Sequence, residues 1–197
     1  MSFALGLTGN IGMGKSTTAG LFADAGCAIW DADAAVHRLY ESGGAAVRPI
    51  GAVFPEATAA GFVDRSVLKS MILNDKSVLN KIESIVHPLV HADRQAFRKA
   101  ATADILVFDI PLLFETGSAD EMDAVACVHV DPATQRARVL DRGTMSAEQF
   151  EQILAKQMPI DQKLAQSDYR IETDTHEHAR RQVAAVLDDI ERRMEHA

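Results

Sequence analysis

Gly9-Asn10-Ile11-Gly12-Met13-Gly14-Lys15-Ser16 fits the pattern G-x-x-x-x-G-K-[ST] at every fixed position. Its setting matters as much as its letters. Before it, Phe3-Ala4-Leu5-Gly6-Leu7-Thr8 is a short apolar run that stops at glycine, as a buried parallel strand does. After it, a helix is predicted from Lys15 to about Ala25, with Gly26 as its C-terminal stop. Glycines let successive amides turn inward around an anion, and the helix N-terminus adds partial positive charge at the same point. Gly12, Met13, Gly14, Lys15 and Ser16 are therefore expected to hold the phosphates of a nucleotide. Lys15 would reach the β- and γ-phosphates and the Ser16 hydroxyl a Mg²⁺ ion.

Working outward, strands and helices alternate. Further short strands are predicted at Ala28-Ile29-Trp30, at Ile105 to Phe108 ending on Asp109, at Ala124 to Val130, and at Tyr169-Arg170-Ile171. The last helix carries Val183, Val186, Leu187, Ile190 and Met194 on one face. The fold class expected is α/β: a P-loop three-layer fold with a five-stranded, mostly parallel sheet. Between the second and third strands the pattern is helical, with Val67, Leu68, Met71 and Ile72, then Val78, Leu79, Ile82, Ile85 and Val86. That stretch reads as an inserted helical subdomain over about 32–103. The polar, arginine-bearing stretch over about 134–166 reads as a mobile lid. The nucleotide core would be about 1–31, 104–133 and 167–197, all within one domain.

Bulk composition narrows the partners. A chain of 197 residues that is 47% hydrophobic suffices for one packed domain with an insertion or two. A formal net charge of -8 argues against nucleic acid, whose binders concentrate positive charge. No run approaches a membrane span, and Met1-Ser2-Phe3-Ala4-Leu5 lacks a signal peptide's basic start. Cys27 and Cys127 form no CxxC pattern and read as small buried strand residues, so a reducing cytoplasm is expected. No membrane and no obligate protein partner are expected.

A phosphate loop fixes the ligand class and leaves the reaction open. No Asn-Lys-x-Asp base-reading motif of a regulatory GTPase is present. A small-molecule kinase needs an acid for the acceptor proton, a pocket for the acceptor, and cations to neutralise the moving phosphoryl group. Asp31 and Asp33 close the second strand, at the sheet edge where the loop opens. Aspartate is also a favoured helix cap, so one of the pair is assigned to structure and one to chemistry. Asp109 ends the third strand, where an acid can support Mg²⁺. Arg136, Arg138 and Arg142 are the lid cations, and Arg138 and Arg142 share a helical face. A nucleotide-dependent binding switch, and a kinase for nucleoside monophosphates or shikimate-like acceptors, are the rival readings. The paired acids oppose the first and the long helical insertion the second.

The chain resembles the dephospho-coenzyme A kinases over nearly its whole length. The matching segments are Leu7 to Thr17, Asp31-Ala32-Asp33, Ile82-Glu83-Ser84-Ile85-Val86-His87-Pro88, Asp109-Ile110-Pro111-Leu112-Leu113-Phe114-Glu115, and Gln135, Arg138, Arg142, Gln157 and Lys163. The resemblance implies ATP-dependent phosphorylation of the ribose 3′-hydroxyl of dephospho-coenzyme A, the last step of coenzyme A biosynthesis. It implies that the helical insertion over about 32–103 binds the substrate and that Gly12 to Thr17 hold the ATP phosphates. It implies Asp33 as base, with Asp31 as its orienting or capping neighbour, and Asp109 supporting Mg²⁺. Arg138 and Arg142 would contact the nucleotide, and Leu113, Phe114 and Glu115 would border the acceptor. His87, in a helix ending at His-Pro, would have a pocket or packing role; the position before proline independently reads as a helix stop. One departure is Ile171-Glu172-Thr173, where the family tends to have Ile-x-Asn.

Overall fold

The computed structural model describes residues 2–196. In chain order its elements are β1 (Phe3–Thr8), α1 (Lys15–Asp24), β2 (Ala28–Asp31), α2 (Ala32–Tyr40), α3 (Val47–Val53), α4 (Arg65–Asn74) and α5 (Ser77–Ala100). There follow β3 (Ile105–Asp109), β4 (Ala124–His129), α6 (Pro132–Asp141), α7 (Ala147–Leu154), α8 (Ile160–Gln166), β5 (Tyr169–Glu172) and α9 (His176–Glu195). The five strands form one parallel sheet in the order β2-β3-β1-β4-β5. β1 lies at its centre, with Leu7 opposite both Asp109 of β3 and Ala126 of β4.

Two compact units result. One contains the chain up to Trp30 and from Ala101 onward. Its central strands are apolar on both faces because both are covered, which is why they read as continuous runs. Leu5, Leu7, Val107, Ala126, Val128 and Ile171 face Phe22 of α1 and Val183 and Ile190 of α9 in one core cluster. Cβ atoms alternate across a strand, so Gly6 faces the other way. A Cβ there would lie 2.9 Å from a Leu113 methyl, so the turn after β3 packs directly on the β1 backbone. Aspartates finish the strand starts. Asp123 accepts from the Ala4 amide at 2.7 Å and Asp168 from the Val125 amide at 2.8 Å.

The other unit is Asp31–Ala100, helical around a core of Leu39, Tyr40, Ile50, Phe54, Leu68 and Val86 with their neighbours. Arg65 lies over the Tyr40 ring, 5.3 Å from its centroid. α5 corrects one expectation. It runs unbroken through His87-Pro88 to Ala100, so this pair does not end a helix. An internal proline removes one hydrogen bond and crowds the preceding turn, costing about 3 kcal/mol. Here Val78, Ile82 and Val86 before it are buried, and the helix has three further turns beyond. That packing outweighs the local defect. His87 is exposed.

Candidate active site

The glycine loop joins the carboxyl end of β1 to α1. Gly12 and Gly14 adopt φ of 78° and 85°, which only glycine takes without strain. Side chains from elsewhere fix the loop's peptide planes. Gln135 of α6 donates its Nε2 to the Ile11 carbonyl at 2.7 Å. The Thr173 hydroxyl, just past β5, donates to the Met13 carbonyl at 2.8 Å. In a trans peptide the C=O and the following N–H point in opposite directions. Holding the Ile11 and Met13 carbonyls outward therefore turns the amides of Gly12 and Gly14 into the loop. Those two amides, with Lys15, Ser16 and Thr17 at the start of α1, meet no protein acceptor among the described residues. The result is a ring of unspent donors at a helix N-terminus, complementary to an anion.

Around this ring the charges are arranged for the same purpose. Lys15 Nζ is paired with Asp109, whose carboxylate is 1% exposed at the end of β3. The neighbouring loop segment is occupied: the Ile11 amide donates to Gln157 Oε1 at 3.1 Å, and Asn10 Nδ2 donates to the Met158 carbonyl at 3.2 Å. Asn10 Oδ1 is buried with no donor among the described residues.

The segment from α6 to α8, expected as a lid, is fastened at several points. Besides Gln135 and Gln157, fully buried Lys163 of α8 donates to the Pro111 carbonyl at 2.9 Å and pairs with Glu115 at 3.0 Å. Glu115 also accepts from the Met158 amide at 2.8 Å. Burial alone would raise the Glu115 carboxyl. The Met158 amide, its own main chain and Lys163 outweigh that and hold it below its ordinary value. Burial, with Glu115 adding to it, pushes the Cys127 thiol up to about 11, although Lys163 and Ser167 oppose the rise.

Arg138 grips the loop after β5. Its Nη1 donates to Thr173 Oγ1 at 3.1 Å and its Nη2 to the Thr173 carbonyl at 2.6 Å. Arg136 instead pairs with Glu151 at 2.5 Å on the surface, and Arg142 is an exposed C-cap. Just beyond, Glu172, Asp174 and His178 bring ligand atoms within 4.8 Å of one another. Asp174 is spent on His178 Nδ1 and the Thr175 amide, an entry pair for α9.

Residues 3–179 match the family model for dephospho-CoA kinase. The chain belongs to the dephospho-CoA kinase family. It is 63% identical over 190 residues to the dephospho-CoA kinase of Ruegeria pomeroyi, covering 96% of each chain. It is 55% identical to that of Cereibacter sphaeroides over 95% of each. Among solved structures, TT1252 from Thermus thermophilus superimposes with a TM-score of 0.85 at 28% identity, over 95% of this chain and 97% of the other. The dephospho-CoA kinase of Campylobacter jejuni shares the fold with a TM-score of 0.70 at 23% identity, over 96% and 98%. Dephospho-CoA kinases catalyse the final step of coenzyme A biosynthesis, and this chain is such an ATP-dependent kinase.

Within that family, the structure brings Gly12, Gly14, Lys15, Ser16, Thr17 and Asp109 together, while Met13 is buried and contributes its peptide. Asp31 is the N-cap of α2, accepting from the Ala34 amide at 2.8 Å. Asp33 stands in the first turn of that helix, exposed, with no hydrogen bond or ion pair among the described residues. Leu113 is fully buried against β1, and Phe114 lines a ≈ 500 Å³ cleft with Asp120, Met122, Asp123 and Asp168 at the amino-terminal sheet edge. The turn after β3 lays Leu113 on the β1 backbone at Gly6 and leaves Glu115 beside Lys163 and the Met158 amide. Gln135, Gln157 and Lys163 are visible in the sequence only through the family pattern, and Thr173 only as a departure from it. Single polar residues in polar helices carry no periodic signal. A polar residue directly after an apolar strand, as Thr173 follows Ile171, is the nearest thing to a clue.

Among the described residues no helix is long and apolar enough to cross a membrane.

Proposed function

We propose that phosphoryl transfer is carried out by groups of this chain acting on ATP and the 3′-hydroxyl of dephospho-CoA. The ring of inward amides at Gly12 and Gly14 to Thr17 is the observation that carries the reading. The β-phosphate sits in that ring, and Lys15 turns from Asp109 toward the β- and γ-phosphate oxygens as they arrive. Mg²⁺ fits the residues present: the Ser16 hydroxyl is exposed at the first turn of α1 and Asp109 offers a carboxylate. Those two would hold it, and when bound it supplies positive charge to the phosphate oxygens. Asp33, unspent, accepts the proton of the attacking hydroxyl, while Asp31 fixes the start of α2. Arg138 and Arg142 contact the nucleotide from the lid side. Glu115 sets the acceptor-side turn, and His87 on α5 is available to the acceptor's tail.

The test is acceptor-dependent ADP release with dephospho-CoA, adenosine monophosphate and shikimate in parallel, with a control lacking acceptor. Fast release with dephospho-CoA alone supports the reading. Equal rates with shikimate, or rapid hydrolysis without acceptor, contradict it, because an assembled site excludes water from the γ-phosphate.

A further inference from the structure

Thr173 stands where the family pattern has asparagine, is 7% exposed and lies where three elements meet. Its hydroxyl can donate to the Met13 carbonyl at 2.8 Å or the His129 carbonyl at 3.3 Å, and the shorter distance favours Met13. The same oxygen accepts from Arg138 Nη1 at 3.1 Å. Arg138 Nη2 takes the Thr173 carbonyl at 2.6 Å, so the guanidinium holds both oxygens of one residue. The contact with the loop is also steric. A Cβ at Gly14 would lie 3.0 Å from Thr173 Oγ1 and 3.1 Å from its Cβ. The hydroxyl is thus one link in a chain: guanidinium to hydroxyl, hydroxyl to the Met13 carbonyl, and across the peptide plane to the Gly14 amide. A donor polarised by an arginine is a stronger donor in turn, since hydrogen bonds in series reinforce one another.

We propose that Thr173 is a positioning residue for phosphoryl transfer, coupling Arg138 of α6 to the orientation of the Gly14 amide in the phosphate loop. It does not touch the substrate. It sets the direction in which one phosphate donor points and the place from which Arg138 works. The proposal rests on the reading that Arg138 serves the nucleotide.

The experiment compares Thr173→Val, which keeps the shape and removes the hydroxyl, with Thr173→Ser, which keeps the hydroxyl. Arg138→Ala and the Thr173→Val/Arg138→Ala double variant complete the cycle. ATP and ADP affinities are measured by titration and kcat and KM by coupled ADP release, at a temperature where thermal melts show every variant folded. Thr173→Val is expected to weaken ATP and ADP about tenfold, the scale of one hydrogen bond to a charged group. Thr173→Ser should stay within about threefold of the parent, and the double variant should be within about threefold of the weaker single one. A merely structural role would lower the melting point without this pattern. Should Thr173→Val melt too low for assay, Thr173→Ser against Thr173→Ala supplies the same comparison. Parent-like affinity in Thr173→Val overturns the proposal, and so do losses that multiply in the double variant. Parent-like affinity and turnover in Arg138→Ala sinks the reading of Arg138 itself, and the coupling with it; a large loss in Arg138→Ala beside a silent Thr173→Val sinks the coupling alone.

Discussion

Replacing Lys163 by methionine keeps the chain length and removes the ammonium. Lys163 is fully buried and makes two bonds, to the Pro111 carbonyl at 2.9 Å and to Glu115 at 3.0 Å. Removing one partner of a fully buried ion pair typically costs about 3–5 kcal/mol, because the other charge is left unpaired. Glu115 keeps 20% of its side chain in solvent and still accepts from the Met158 amide, so part of that cost is relieved. A loss of about 2–3 kcal/mol is expected, or a melting point lower by roughly 4–12 °C for a chain of this size. Lys163→Met/Glu115→Gln should lose less than Lys163→Met alone, since no charge is then stranded. Urea and thermal unfolding of the two variants measure this. A single variant within about 0.5 kcal/mol of the parent, the scatter of ordinary surface changes, would refute the idea that this pair anchors α8.

Gly12→Ala places a Cβ 2.4 Å from a Val139 methyl and 3.1 Å from the Gln135 carbonyl, at a left-handed φ that costs about 1–2 kcal/mol by itself. Nucleotide titration should show ATP affinity at least about tenfold weaker, since about 1.4 kcal/mol corresponds to one decade in affinity; unchanged affinity would contradict the loop geometry. Burial pushes the Cys27 and Cys127 thiols up to about 11, with Glu191 adding to the first and Glu115 to the second, so both stay protonated near neutrality. Alkylation of the native protein should be slow and accelerate on unfolding; Cys127 reacting at its unfolded rate would be contrary. Glu115, held below its ordinary 4.5, stabilises the fold above that value and loses the contribution as pH falls through its lower folded value. Stability of the parent should therefore fall more steeply below about pH 4.5 than that of Glu115→Gln, and parallel curves would contradict it.

What the sequence shows of this molecule depends on how local the governing physics is. The loop at Gly12 and Gly14 is legible because φ near +80° demands glycine, whatever surrounds it. The strands are legible because a sheet covered on both faces needs unbroken apolar runs, and a cap at Asp31 or Asp33 because capping is a one-turn affair, although local sequence leaves open which of the two it is. The strand order is not legible, since nothing in Ile105 to Phe108 says that β3 lies between β2 and β1. Pro88 misleads because the rule for the position before proline is local, whereas the burial of Val78, Ile82 and Val86 that overrides it is tertiary. A motif conveys which residues recur together, not which way a turn folds their side chains. The supports of the loop at Gln135, Gln157 and Thr173 all lie far from it in the chain, and only the folded structure shows them meeting it.

The assignment of Asp33 as proton acceptor, with Asp31 as cap, is tested most directly by comparing Asp33→Asn and Asp31→Asn in kcat and in ATP affinity. Asp33→Asn should lower kcat by at least about a hundredfold, the low end of general-base catalysis, with ATP affinity near that of the parent. Asp31→Asn, which retains a good capping side chain, should keep most of its turnover. Near-normal kcat in Asp33→Asn together with a collapse in Asp31→Asn would reverse the two roles and contradict the account.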